Sequence, residues 1–170
     1  MNAKQLLKLL VIFGASLGLS YLLLRATAGA VIVFFDELLS AFLVVATLLV
    51  TMSVALYNYT DNITKDLSDV RNDVDRGKLG IVLDKLVSLK REVLLNGGLI
   101  AFLFVFERAL KGIQMYLLAQ LPMEYHRVIA DVSTALRVSF FFVSLVAAVI
   151  QLKGFLLAAD FREHIVRNRR

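Results

Sequence analysis

Apolar residues along this chain gather in four long runs, at residues 6–24, 28–57, 93–121 and 128–159. About 20 apolar residues cross a bilayer as an α-helix, so every run is long enough. A small soluble domain has no interior for four such helices. The pattern predicts an all-α fold, an integral membrane four-helix bundle in a single domain over residues 1–170, with spans at about 5–24, 33–57, 93–118 and 131–157.

Between the second and third runs the pattern changes. Ile63, Leu67, Val70 and Val74 are spaced 4-3-4, and after RGKLG come Leu79, Val82, Leu86, Leu89 and Val93, spaced 3-4-3-4. Spacing of this kind puts apolar residues on one seam that packs two helices together. The arm at 58–76 carries five Asp against Lys65, Arg71 and Arg76, whereas 77–92 carries four bases against Asp84 and Glu92. Matching seams, opposite charge and a glycine-containing turn predict an antiparallel helical hairpin over residues 58–92. No helix breaker stands at either boundary, so its arms extend the second and third spans. Leu83 and Val87 form a neighbouring apolar stripe, suited to contact with another subunit.

Charges interrupt the apolar runs at few points. Asp36 and Glu37 lie early in the second run, Glu107, Arg108 and Lys111 in the third, and Asp131 and Arg137 in the fourth. At about 1.5 Å of rise per residue, all of them fall in the half of the membrane nearest the short loops, with Glu107 and Arg137 at similar depth. A carboxylate at the bilayer centre costs about 2.5–3.5 kcal/mol on insertion scales, so such groups turn inward and find partners. The expected pairs are Glu107 with Arg137, and Asp36 and Glu37 with Arg108 and Lys111. An ionic clamp fixing helix register is the favoured role, narrowly ahead of an ion or proton path.

Polar residues also form stripes. Asp36, Ser40, Thr47, Thr51 and Asn58 share one narrow helical face, as do Thr134, Arg137, Ser144, Ala148 and Gln151. Two stripes of that length suit a hydrated lumen between the second and fourth helices, although hydroxyls also bond back to their own helix. Gly14 and Gly18 have the GxxxG spacing that lets membrane helices approach closely.

Composition narrows the picture. Mean hydropathy is +0.75 and 59% of residues are apolar, above the roughly half usual for a soluble domain. There is no Cys, so neither disulfides nor thiolate metal sites can form. With no Trp, interfacial anchoring falls to Tyr21, Tyr57, Tyr59, Tyr116 and Tyr125 near the run ends. The net charge of +5 is an orientation signal rather than a nucleic-acid footprint. Lys4, Lys8, the bases of residues 65–91, and Lys153, Arg162, Arg167, Arg169 and Arg170 share one side, with Arg25 and Arg127 flanking the loops of the other. The positive-inside rule then places both termini in the cytoplasm, in a plasma (inner) membrane. Lys4 and Lys8 before an apolar core, with Ala-x-Ala ending at Ala28, match a cleavable signal; we read the segment as a retained anchor.

No catalytic constellation stands out, and an enzyme is not expected. His126 and His164 are the only histidines, too few for a metal cluster. NGG and RGKLG lack the strand context of a phosphate loop, and neither cofactor nor metal is expected. The stretch GLIAFLFVFE, with Arg137 thirty residues after Glu107, loosely resembles small four-helix bacterial membrane proteins of the phosphate-starvation-inducible E type. The resemblance covers one apolar run and implies no site. Two functions fit: a homo-oligomeric channel or pore-like assembly lined by the polar faces of the second and fourth helices, or a non-conducting scaffold subunit whose hairpin docks a cytoplasmic protein.

Overall fold

The computed structural model describes the backbone of residues 3–69 and 76–167, and side chains over 6–65, 80–156 and at 159. The described chain is all helical: α1 (Ala3–Ala26), α2 (Ile32–Ser40), α3 (Phe42–Asp69), α4 (Arg76–Gln120) and α5 (Met123–Arg167). Four helices are long and apolar enough to cross a membrane, within Leu6–Ala26, Ile32–Lys65, Gly80–Gln120 and Met123–Leu156.

The second span is made of α2 and α3, which meet at Ala41. Ser40 Oγ donates to the Glu37 carbonyl at 2.7 Å, and the Ala41 N–H reaches the same oxygen at 3.3 Å. A hydroxyl competing for a helix carbonyl loosens the regular ladder, but Ala41 keeps a helical φ of −71° and ψ of −15° and its carbonyl accepts the Val45 N–H at 3.1 Å, so α3 carries on from α2. At the other end of the bundle, α4 and α5 are 45 residues each. At 1.5 Å per residue that is about 67 Å, roughly twice the hydrocarbon thickness of a bilayer. Arg76–Gln120 is one unbroken helix. Pro122, which has no N–H to donate, ends α4, and its carbonyl takes the Tyr125 N–H at 3.1 Å to start α5.

The central helix is α5, which packs against α1 and α4 and also touches α2 and α3. Helices α3 and α4 lie antiparallel, paired by Phe42 with Phe104, Ser53 with Gly97, and Ile63 with Leu86. The main core joins Leu24, Phe35, Leu39, Phe42, Ile100, Val138 and Phe141. Leu9, Leu103 and Val143 make a second, smaller cluster between α1, α4 and α5. The outer surface is also apolar, with Leu7, Leu22, Val33, Val44, Leu94 and Val105 all exposed. A soluble monomer rarely shows so continuous an apolar perimeter.

Candidate functional site, a charge cluster inside the bundle

Ile100, Leu103 and Glu107 recur on the inward face of α4, and Arg137 lies among Thr134, Val138 and Phe141 on the inward face of α5. Helical periodicity thus turns a carboxylate and a guanidinium toward each other. Arg137 Nε donates to Glu107 Oε1 at 2.8 Å, with Glu107 0% and Arg137 3% exposed. Arg137 also faces α2, where its Nη1 is 3.6 Å from Asp36 Oδ1. Asp36 itself is more than half exposed at 56%. One buried guanidinium therefore bridges two carboxylates from two other helices.

The second oxygen of Glu107 is 3.3 Å from Arg108 Nε but forms no hydrogen bond. Arg108, on the outer side of α4, rests its guanidinium over the Phe104 ring at 5.4 Å. On the opposite side of α5, the fully buried Asp131 lies 3.9 Å from Arg25 Nε, and neither of its oxygens is hydrogen-bonded. Arg25 is held by Tyr21, whose hydroxyl accepts from Nε at 3.1 Å.

Glu107 meets Arg137 as expected, but the partners expected for Asp36 and Glu37 differ. Asp36 goes to Arg137, not to Arg108 or Lys111, because α2 leans on α5 rather than on α4 at this level. Glu37 and Lys111 are exposed and make no ion pair among the described residues. The role of Arg25 was not foreseen. Its position at the end of the first apolar run, level with Asp131 at the start of the last, was the available signal.

Beneath the cluster stand three aromatic rings. Phe42 is fully buried and meets Phe104 and Phe141 edge-on at 5.6 and 5.3 Å. Aromatic pairs in this geometry add roughly 0.5–1.5 kcal/mol beyond the area they bury. Further down, Ser144 Oγ bonds the Phe140 carbonyl at 2.9 Å, and Gln151 Nε2 donates to the Val93 carbonyl at 3.2 Å. Asn96, between them in depth, is buried with its Nδ2 unbonded.

The two polar stripes point in different directions. On α5, Thr134, Arg137, Ser144 and Gln151 are all buried inside the protomer. On α2 and α3, Asp36, Ser40, Thr47, Thr51 and Asn58 are all exposed. The Thr47 and Thr51 hydroxyls bond the Leu43 and Thr47 carbonyls of their own helix. Apart from Asp36, which reaches Arg137, the two stripes do not meet within one chain.

Around Tyr59 and Ile63, α3 stays packed on α4. Ile63 and Leu86 are buried together, with Tyr59, Val82, Leu83 and Leu89 around them. Leu67, Val70, Val74 and Leu79 lie outside the described side chains. Asp61 pairs with Lys90 across the helices and with Lys65 one turn on at 2.9 Å, while Lys90 sits over the Tyr57 ring at 4.6 Å. The hydrogen bond from Lys90, helped by Lys65, holds the Asp61 carboxyl below the usual carboxylate range. Asp61 and Tyr57 in turn raise the Lys90 ammonium above the usual lysine range.

No group of three or more His, Asp or Glu among the described residues could hold a metal ion. No protein-family model, curated protein or solved structure matches this chain.

Proposed function

We propose that the chain is a non-conducting scaffold subunit of a plasma (inner) membrane. It crosses the membrane four times, keeps both termini in the cytoplasm, and carries the ends of α3 and α4 as a cytoplasmic hairpin that docks a protein partner. The observation that supports this reading most is the inward closure of α5. Its polar face is spent on partners within the protomer, and the Phe42, Phe104 and Phe141 rings lie across the interior below the charges. Buried ionic groups of this kind fix helix register, the best-attested use of such pairs. The Lys/Arg asymmetry supports the orientation, and the Ile63–Leu86 contact supports the hairpin.

A conducting homo-oligomer is the second reading. It is favoured by one observation, the exposed stripe of Asp36, Ser40, Thr47 and Thr51, which only an assembly of several copies could line. Ion flux across vesicles containing the purified protein separates the two. The scaffold reading predicts flux no greater than in protein-free vesicles. Flux that changes selectivity on Thr47→Val or Asp36→Asn would replace it with the pore.

A further inference from the structure

Phe104 of α4 meets Phe42, at the start of α3, edge-on at 5.6 Å. Gly97, Ile100, Phe104, Arg108 and Lys111 follow one another at 3-4-4-3 spacing, so they share one row of α4, on the side facing α3. Gly97 and Ile100 in that row are buried, whereas the Arg108 side chain is 38% exposed and Lys111 is exposed. The row opens because the second span tilts: α3 packs on α4, but α2 packs on α5. Past Phe42 a gap is left between α2 and α4.

Three contacts in series cross the floor of that gap. Asp36 Oδ1 on α2 lies 3.6 Å from Arg137 Nη1 on α5, Arg137 Nε donates to Glu107 Oε1 on α4, and Glu107 Oε2 lies 3.3 Å from Arg108 Nε. Arg137 and Glu107 are buried, while the two ends of the series, Asp36 and Arg108, reach the surface. The α2 rim is thus acidic and the α4 rim basic. Two carboxylates and two guanidiniums balance within the series, which leaves Lys111 as a surplus cation with no ion pair among the described residues. Asp36, for its part, is too far from Arg137 for a hydrogen bond.

We propose that the gap binds the headgroup of a phospholipid of the phosphatidylethanolamine type. Its phosphate lies against Arg108 and Lys111, and its ammonium donates to Asp36. A guanidinium fork beside a lysine ammonium suits phosphate oxygens. A primary ammonium brings three N–H donors to a carboxylate, and a choline headgroup has none. A glycerol headgroup offers Asp36 no positive charge at all. Both bases lie in the last third of α4, near the end of the span, from where long basic side chains reach the headgroup layer. One zwitterion then meets the acidic rim with its cation and the basic rim with its anion, and bridges α2 to α4 across the gap.

The inference rests on the membrane placement proposed above. Purified protein in detergent is titrated with dihexanoyl phosphatidylethanolamine, phosphatidylcholine and phosphatidylglycerol. Binding is read from the rise in unfolding temperature, each variant against its own lipid-free state, and from lipid-bound peaks in native mass spectra. The ethanolamine lipid is expected to half-saturate at about a tenth of the concentration that the other two need. Asp36→Asn should weaken the ethanolamine lipid to the level of the choline lipid. Lys111→Gln removes a side chain that makes no ion pair within the chain, and should weaken both lipids alike by about threefold. Equal affinity for the three lipids, tightest binding of the glycerol lipid, an unchanged preference in Asp36→Asn, or unchanged affinities in Lys111→Gln would each overturn the site. Flotation of the wild type with vesicles checks the placement separately. Protein that floats but shows no preference overturns the site alone, and protein that does not float overturns the placement with it.

Discussion

Ala28 adopts φ 52°, a left-handed conformation, in the turn that closes α1. The Gly29 N–H bonds the Leu24 carbonyl at 2.9 Å and the Ala28 N–H bonds that of Arg25 at 3.2 Å. Those two bonds define a Schellman cap, whose left-handed position is usually glycine. An alanine there carries a Cβ penalty of roughly 1–2 kcal/mol. Ala28→Gly should therefore raise the unfolding free energy in detergent by about 1 kcal/mol; a loss of stability would contradict the cap. At the same scale, the charges of the cluster were readable from the sequence, since a charge within an apolar run is conspicuous. Most of their partners were not. Counting residues along a helix gives depth, but the direction in which a neighbouring helix leans decides who meets whom. Glu107 and Arg137 came together because both face inward; Asp36 reached Arg137 because α2 tilts toward α5.

Among elements, the clearest contrast is within the NGG of α4. A Cβ on Gly97 would lie 2.8 Å from Ser53 Cβ, whereas one on Gly98 would meet nothing within 4 Å. Gly97 is what lets α3 and α4 approach. Gly97→Ala should cost about 1–3 kcal/mol by overpacking, while Gly98→Ala should be neutral or stabilise by up to about 1 kcal/mol through helix propensity. Chemical unfolding of the two variants side by side checks this, and equal effects would contradict the close contact. The sequence could not rank these two glycines, because the difference lies in the facing helix. The unbroken run of α4 from Arg76 to Gln120 was readable from the absence of any breaker. The loosened turn at Ala41 was not: neither Gly nor Pro marks it, and a single serine hydroxyl accompanies it.

At the scale of the whole molecule, four apolar runs were enough to give four long helices, and the one proline gave the turn between the last two. The sequence did not reveal that α5 takes the central place. A stripe of Thr, Arg, Ser and Gln reads equally as a lumen lining or as an interior, and only the packing of α1, α2 and α4 around it distinguishes them. The central claim is that the Glu107–Arg137 pair is an internal clamp on this bundle. Removing one partner of a buried pair leaves the other charge uncompensated, at a cost of about 3–5 kcal/mol. The most direct measurement is a double-mutant cycle on unfolding free energy in detergent. Glu107→Gln and Arg137→Gln should each be strongly destabilised, and the double variant should lose clearly less than the sum of the two, by roughly 1–3 kcal/mol. Single losses that simply add, or single variants as stable as wild type, would contradict the clamp.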